Sequence, residues 1–184
     1  MGVIRINPII FEGAPAEQAG RLVKEMAVYA LLDALSISYA RLEHDPAGTI
    51  ADCSAVEQTL KVPICKNLFL CNTQKTQFYL LLMPGNKKFM TKELSKQLGC
   101  ARLSFADAEA MEKYLNITPG SVSVLGLMYD QDCAVRLLID EALLQETYIG
   151  CHPCVNTASL KIRLQDILQI FLPYTRHIPD FVRL

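Results

Sequence analysis

The chain has 184 residues, 51% apolar and 20% charged, with a formal net charge of −1 at neutral pH. This composition excludes an intrinsically disordered chain, and the length suits a single domain spanning residues 1–184. The balanced charge excludes an extended basic surface, so any nucleic-acid contact is expected to be local.

Other totals narrow the class further. The apolar run Leu80-Leu81-Leu82-Met83 stops at Pro84-Gly85, far short of the ~20 residues that span a bilayer. The first residues lack the apolar centre and cleavage pattern of an export signal. Seven cysteines, an odd number at irregular spacing, then read as reduced thiols of a cytoplasmic protein with no membrane association.

In chain order, residues 1–15 are an extended lead-in, and Pro15 suits a first helical turn. Leu22, Val23, Met26, Ala30 and Leu35 recur at near-helical spacing, predicting an amphipathic helix over 16–35. Alternation predicts a strand over 37–42, followed by a loop over 44–48. Ser54 and Glu57 have capping-box spacing for a short helix to Leu60. Strands follow over 65–71 and 77–83, joined by a polar hairpin turn.

Thr91 caps a helix that Gly99 ends. A short strand over 101–105 precedes a helix over 107–115 with acidic early turns. Strands are expected over 122–127 and 135–140, a helix over 164–171, and a last strand in the tail. Interleaved elements with several short connections predict an α+β fold, a mixed and mainly antiparallel sheet with flanking helices.

The densest chemistry lies in Cys151-His152-Pro153-Cys154-Val155-Asn156-Thr157-Ala158-Ser159. Cys151-x-x-Cys154 has the spacing of half a zinc site or a redox pair, but no second pair exists, so packing is the favoured reading. No metal and no cofactor is expected. Lys66 heads an apolar strand, and either reaches solvent at the strand edge or holds an anion in a cleft. Residues 120–126 place Gly120 and Gly126 around a β-prone run, either as plain turn and strand or as backbone exposed beside a pocket. No phosphate-binding loop, dinucleotide fingerprint or nucleophile elbow occurs.

Taken together, Lys66-Asn67-Leu68-Phe69-Leu70, Leu103-Ser104-Phe105, Ile117 to Val122, Gly126-Leu127, Asp140 to Leu143 and His152-Pro153-x-x-Asn156-Thr157-Ala158 resemble the YbaK/aminoacyl-tRNA synthetase-associated domain family, closest to its free-standing prolyl-tRNA editing branch. The resemblance covers roughly residues 16–175. It implies a cytoplasmic trans-editing deacylase that hydrolyses tRNA carrying a misattached small amino acid at its 3′ end, alanyl-tRNA(Pro) for this branch. Prolyl-tRNA synthetase is an implied partner. The alternatives are a cysteinyl-tRNA deacylase and a non-catalytic module that binds an aminoacyl or adenosine-like ligand.

By position, the resemblance implies that Lys66 holds the tRNA 3′ end and that the loop opened by Gly120 orients ester and water. His152 is implied to contact the aminoacyl group, with Ser121, Gly126, Asn156 and Thr157 in supporting contacts. Val124 stands where the family loop has proline, which is expected to leave the loop less rigid. An aminoacyl ester is already activated, so a positioned water and stabilised oxyanion suffice without a catalytic triad.

Overall fold

A computed structural model describes residues 4–47 and 50–184, in which the strands form two sheets. The first sheet is wholly antiparallel. It orders β1 (Ile6–Glu12), β2 (Tyr39–His44), β8 (Ala158–Arg163) and β7 (Tyr148–Cys151). The second sheet is mixed and orders β5 (Ser104–Phe105), β3 (Cys65–Cys71), β4 (Phe78–Pro84), β6 (Val135–Asp140) and β9 (Asp180–Val182). There β3 pairs antiparallel with β4 and β5, while β4–β6 and β6–β9 are parallel.

The helices are α1 (Val23–Ala34), α2 (Ile50–Leu60), α3 (Thr91–Leu98), α4 (Ala108–Leu115), and a continuous stretch of α5 (Leu164–Asp166), a π-helical segment (Ile167–Phe171) and α6 (Leu172–Thr175).

The central strand explains the layering. Residues 78–83 of β4 are all buried, because β3 and β6 flank the strand and both its faces are covered. Alternation then splits the core. Phe69, Leu80, Leu82, Leu137 and Ile139 face Tyr39, Leu160 and Ile162 of the first sheet, together with Val28, Tyr29 and Leu32 of α1. Leu70, Tyr79, Leu81, Met83 and Leu138 face Leu94 of α3 and Val182.

Local chemistry closes the connections. Asn72 Oδ1 accepts from the N–H groups of Thr76 (2.8 Å) and Gln77 (3.1 Å), turning β3 into β4. Asp107 caps α4 by accepting from Ala110 N at 2.9 Å, worth about 1 kcal/mol. Asn116, at φ +52°, ends that helix and releases the chain into the loop that carries Gly120.

Several boundaries differ from expectation. Residues 16–22 lie outside α1, which starts only after Leu22. Strand β2 sits two residues later than 37–42. Ser54 lies inside α2, and Glu57 instead accepts from Ile64 N at 2.8 Å, so the expected capping box is absent. Met90, not Thr91, is the cap residue of α3. Only Ser104 and Phe105 of the 101–105 strand pair.

The run 122–127 is no strand. Val124–Tyr129 winds into a 3₁₀ helix because Ser123 Oγ accepts from Leu125 N and starts a turn. The last helix continues past Phe171 to Thr175. The lead-in contains β1, its residues 1–3 lying outside the described residues, as does Gly48 of the predicted 44–48 loop.

Asp130 fastens the tail. Its carboxylate accepts from Ala134 N (2.9 Å), Val135 N (2.7 Å) and His177 Nε2 (3.0 Å), all at the start of β6 or on the segment after α6. Burial alone would raise the Asp130 carboxyl, but these hydrogen bonds and the nearby His177 charge outweigh it and hold it below its ordinary 3.8. A carboxyl lowered in the folded state contributes stability above about pH 3.8, lost as pH falls through the folded value. Asp130→Ala is expected to cost about 3–5 kcal/mol in urea unfolding at pH 7 and to flatten the decline of stability in acid. A midpoint equal to wild type would show that the tie does not stabilise the fold.

Candidate active site

Three segments converge at one end of β3. The first is the loop 117–123, entered from α4. Gly120 has φ +86°, a left-handed conformation that side chains resist, and it is exposed. A Cβ built there would lie 3.4 Å from Asn156 Nδ2, so the loop lies directly on the Asn156 side chain. The second is the turn 152–157 between β7 and β8, with Cys154 at φ +60°. The third is Asn67 of β3, whose Oδ1 accepts from Val124 N at 2.9 Å while its Nδ2 donates to Cys65 O. Ser123 hydrogen-bonds Cys151, tying the loop to the end of β7.

Four donors of the loop and the 3₁₀ helix that follows it are spent. Ser121 N bonds Thr118 O, Gly126 N bonds Ser123 O, Leu125 N bonds Ser123 Oγ, and Val124 N goes to Asn67. The N–H groups of Gly120, Val122 and Ser123 make no hydrogen bond to the described residues. Gly120 is exposed and Val122 half-buried, so a ligand laid over Gly120 meets their donors, whereas Ser123 is fully buried.

Two histidines meet where β2 and the 152–157 turn adjoin β8. His152 Nδ1 lies 2.8 Å from Ala158 O, and a carbonyl only accepts, so Nδ1 carries the proton and Nε2 is left as the lone-pair nitrogen. His44 Nδ1 is 2.8 Å from Asp45 O, which fixes the same tautomer. Its Nε2 therefore accepts from Ser159 Oγ at 2.9 Å. Ser159 Oγ is also 3.4 Å from His152 Nδ1, and the two rings are tilted with centroids 6.1 Å apart.

Burial pushes the His152 pKa down, the hydrogen bond to Ala158 opposes it, and His44 lowers it further, so the net value lies below 6.5. Burial likewise lowers His44, only partly opposed by Asp45 and Asp52. Both rings are neutral at pH 7.

The thiols have a different character. Burial raises Cys151 to about 12, against a hydrogen bond from Ser123 that lowers it. Cys154 is also pushed up to about 12, by burial and then by Cys151. Cys65 is raised as well, by burial and by the neighbouring Cys151. Thiols held protonated in this way are packing groups rather than nucleophiles.

The residues singled out in the sequence are thus partly gathered. Gly120, Val124 N–H, Asn156, His152 and the exposed Thr157 belong to the loop-and-turn cluster. Ser121 is buried under the loop. Gly126 is interior, where a Cβ would lie 2.5 Å from Ile117 Cδ1 and 3.1 Å from Leu115, so close packing against the end of α4 requires glycine there.

Lys66 stands apart. Its register partner is Met83, which places it on the α3 side of the sheet, opposite its neighbour Asn67, and its Nζ donates to Lys87 O at 2.6 Å. Asn67, His44 and Ser159 were not singled out as site residues from sequence. The His44–Ser159 contact spans 115 positions and leaves no local signal. Period-two alternation along β3, with Asn67 interrupting the buried series Cys65, Phe69, Cys71, was the available clue to Asn67.

The chain thus sets a glycine loop against a His-Pro-x-x-Asn-Thr turn within a two-sheet α+β fold. Residues 44–170 match the model of the aminoacyl-tRNA editing domain family, and the chain belongs to that family. It is 34% identical over 146 residues to the prolyl-tRNA editing protein ProX of Acetoanaerobium sticklandii, covering 79% of this chain and 89% of that protein. It is 33% identical over 152 residues to the prolyl-tRNA synthetase associated domain-containing protein 1 of Mus musculus, covering 80% and 89%. A crystal structure of a candidate trans-editing enzyme for prolyl tRNA synthetase superposes with a TM-score of 0.66 at 14% identity, covering 90% of this chain and 99% of that one.

Valine at the proline position has a use of its own here, because its N–H holds Asn67. Val124→Pro removes that donor and leaves Asn67 Oδ1 short of a partner, expected to cost about 1–2 kcal/mol in thermal or urea unfolding. An unchanged or raised midpoint would show that the Asn67 tie is dispensable.

Proposed function

We propose that this protein is a trans-editing aminoacyl-tRNA deacylase acting on alanyl-tRNA(Pro), with the whole chain serving as one editing domain. The observation that carries this reading is the pair of unspent N–H groups at Gly120 and Val122, on a loop that lies against Asn156 of the turn carrying a neutral, tautomer-fixed His152. Family membership and the similarity to ProX support it.

In the reaction, water attacks the ester carbonyl, the ester C–O bond breaks, and free amino acid and a terminal ribose hydroxyl result. The loop N–H groups receive the carbonyl oxygen as it gains charge. His152 Nε2, the lone-pair nitrogen, accepts a hydrogen bond from the attacking water or from the neighbouring ribose hydroxyl. Asn156 and Thr157 line the turn that borders the ester, Ser121 and Gly126 shape the loop from below, and Lys66 holds a phosphate of the tRNA 3′ end from the other side of β3. Discrimination against proline is steric. The reading places the protein in the cytoplasm, in the company of prolyl-tRNA synthetase.

The test is release of amino acid from alanyl-, cysteinyl- and prolyl-tRNA(Pro) by the purified protein. Alanine should be released and proline spared, and Lys66→Ala should lower kcat/KM by about 10- to 100-fold, the worth of one charge-assisted hydrogen bond. Hydrolysis of none of the three would sink the reading, and full activity in Lys66→Ala would sink the role of Lys66.

The pH dependence tests His152. Its lowered pKa means that the ring is neutral above about 6.5 and protonates only as pH falls through its lower folded value. Activity should therefore be flat near neutrality and fall in acid, and His152→Gln should abolish that acid limb. Stability follows the same sign, since protonation of the buried ring opposes folding and its contribution is lost below about 6.5. An acid limb that survives in His152→Gln would assign it to another group.

A further inference from the structure

Two buried polar side chains have no part in the hydrolysis scheme above. His44 ends β2, Ser159 lies near the start of β8, and both are buried. Ser159 is the register partner of Leu42, and His44 stands two residues beyond Leu42. All three therefore share the face of the first sheet on which Leu42 packs against Val56 and Leu60 of α2. Apolar residues fill such a place at lower cost, since a buried hydroxyl and a buried imidazole must each find partners.

The partners they find form a chain with one direction. His44 Nδ1 donates to Asp45 O at 2.8 Å, so its Nε2 holds a lone pair. A serine hydroxyl has a single hydrogen, and His44 Nε2, 2.9 Å away, takes it. The Ser159 oxygen is then left with only lone pairs to offer His152 Nδ1 at 3.4 Å, whose hydrogen also reaches Ala158 O at 2.8 Å.

Without an acceptor at position 44, the Ser159 hydrogen is free to turn to His152 Nδ1. The ring then carries its proton on Nε2, the nitrogen that has to accept from water or ribose. His44 is kept a neutral acceptor at pH 7 because burial outweighs Asp45 beside it and Asp52 of α2, which both favour its protonation. The other titratable neighbour is His152 itself, with ring centroids 6.1 Å apart.

We propose that His44 and Ser159 are positioning residues that act through His152. His44 takes the Ser159 hydrogen, and the Ser159 oxygen in turn helps hold the His152 proton on Nδ1, leaving Nε2 open to the substrate. The inference rests on the deacylase reading for the use made of Nε2.

The experiment is two-bond proton–nitrogen NMR of the imidazoles in the ligand-free protein at pH 7, beside alanyl-tRNA(Pro) hydrolysis. His44→Leu and His44→Met remove the acceptor while filling its space, and thermal melts report whether each folds. Both should move the His152 proton toward Nε2 and lower kcat about tenfold with KM unchanged, a part of what a positioned base supplies. His44→Gln, whose amide oxygen can still accept from Ser159, should restore the tautomer and most of the rate. Ser159→Ala should keep the Nδ1–H form through Ala158 O and lose less. Combined with His44→Leu, it should bring the tautomer back and raise kcat to its own level, a recovery that a merely structural role of His44 does not produce.

An unchanged His152 tautomer in His44→Leu and His44→Met would overturn the proposal, as would losses in the double variant that simply add. Where the apolar variants do not fold, His44→Gln decides alone: a wild-type tautomer supports the proposal and a shifted one overturns it. If the wild type hydrolyses alanyl-tRNA(Pro) and the tautomer ignores His44, the positioning pair is wrong and the deacylase reading stands. If the tautomer follows His44 and Ser159 as described but the wild type hydrolyses nothing, the positioning pair stands and the deacylase reading falls.

Discussion

A single amide sets the geometry of the candidate site. Asn67 Oδ1 accepts from Val124 N, and through that bond β3 holds the loop that follows α4. Once the loop is held there, Ser123 meets Cys151 at the end of β7, and Gly120 lies on Asn156 of the next turn. Two sheets that also meet through apolar packing and the backbone pairing of Gly150 with Pro63 and Ile64 are thereby fixed to each other at a further polar point. Directional hydrogen bonds can define such a position to a fraction of an ångström, which apolar burial alone does not do.

Around that point the chemistry is one of placement. Buried thiols stay protonated, both imidazoles are neutral, and backbone carbonyls choose their tautomers. No group in the cluster is an activated nucleophile. An activated ester needs little more than a held water and donors aimed at its carbonyl oxygen, so such a site is adequate for aminoacyl transfer to water. The cost of leaving the N–H groups of Gly120 and Val122 without protein partners is small because neither residue is buried, and those same groups are available to a substrate.

The parts of this structure that were legible in the sequence are those written locally. Strands β3, β4 and β6 announce themselves as apolar, β-prone runs, and Asp107 and Gly99 mark helix ends by their own side-chain and backbone preferences. The ordered motifs of the editing family were legible too, and with them Gly120, His152 and Asn156. What stayed hidden depends on partners far along the chain. Val124 to Tyr129 is β-prone by composition, yet one serine hydroxyl turns it into a 3₁₀ helix. The start of α1 after Leu22 overrides a plausible earlier helical period. The opposite facing of Lys66 and Asn67 follows from strand geometry, but which face belongs to the loop is decided only when the two sheets and α3 are assembled.

The protonated thiols have a use for the experimenter. Cys65, Cys151 and Cys154 are buried at the floor of the candidate site, whereas Cys133 is exposed. A thiol reagent therefore meets Cys133 in the native state and reaches the other three only when the core opens. Their labelling rates are built-in clocks of local and global opening. Comparing Cys151 with Cys65 would tell whether the loop lifts away on its own or only as the two sheets part.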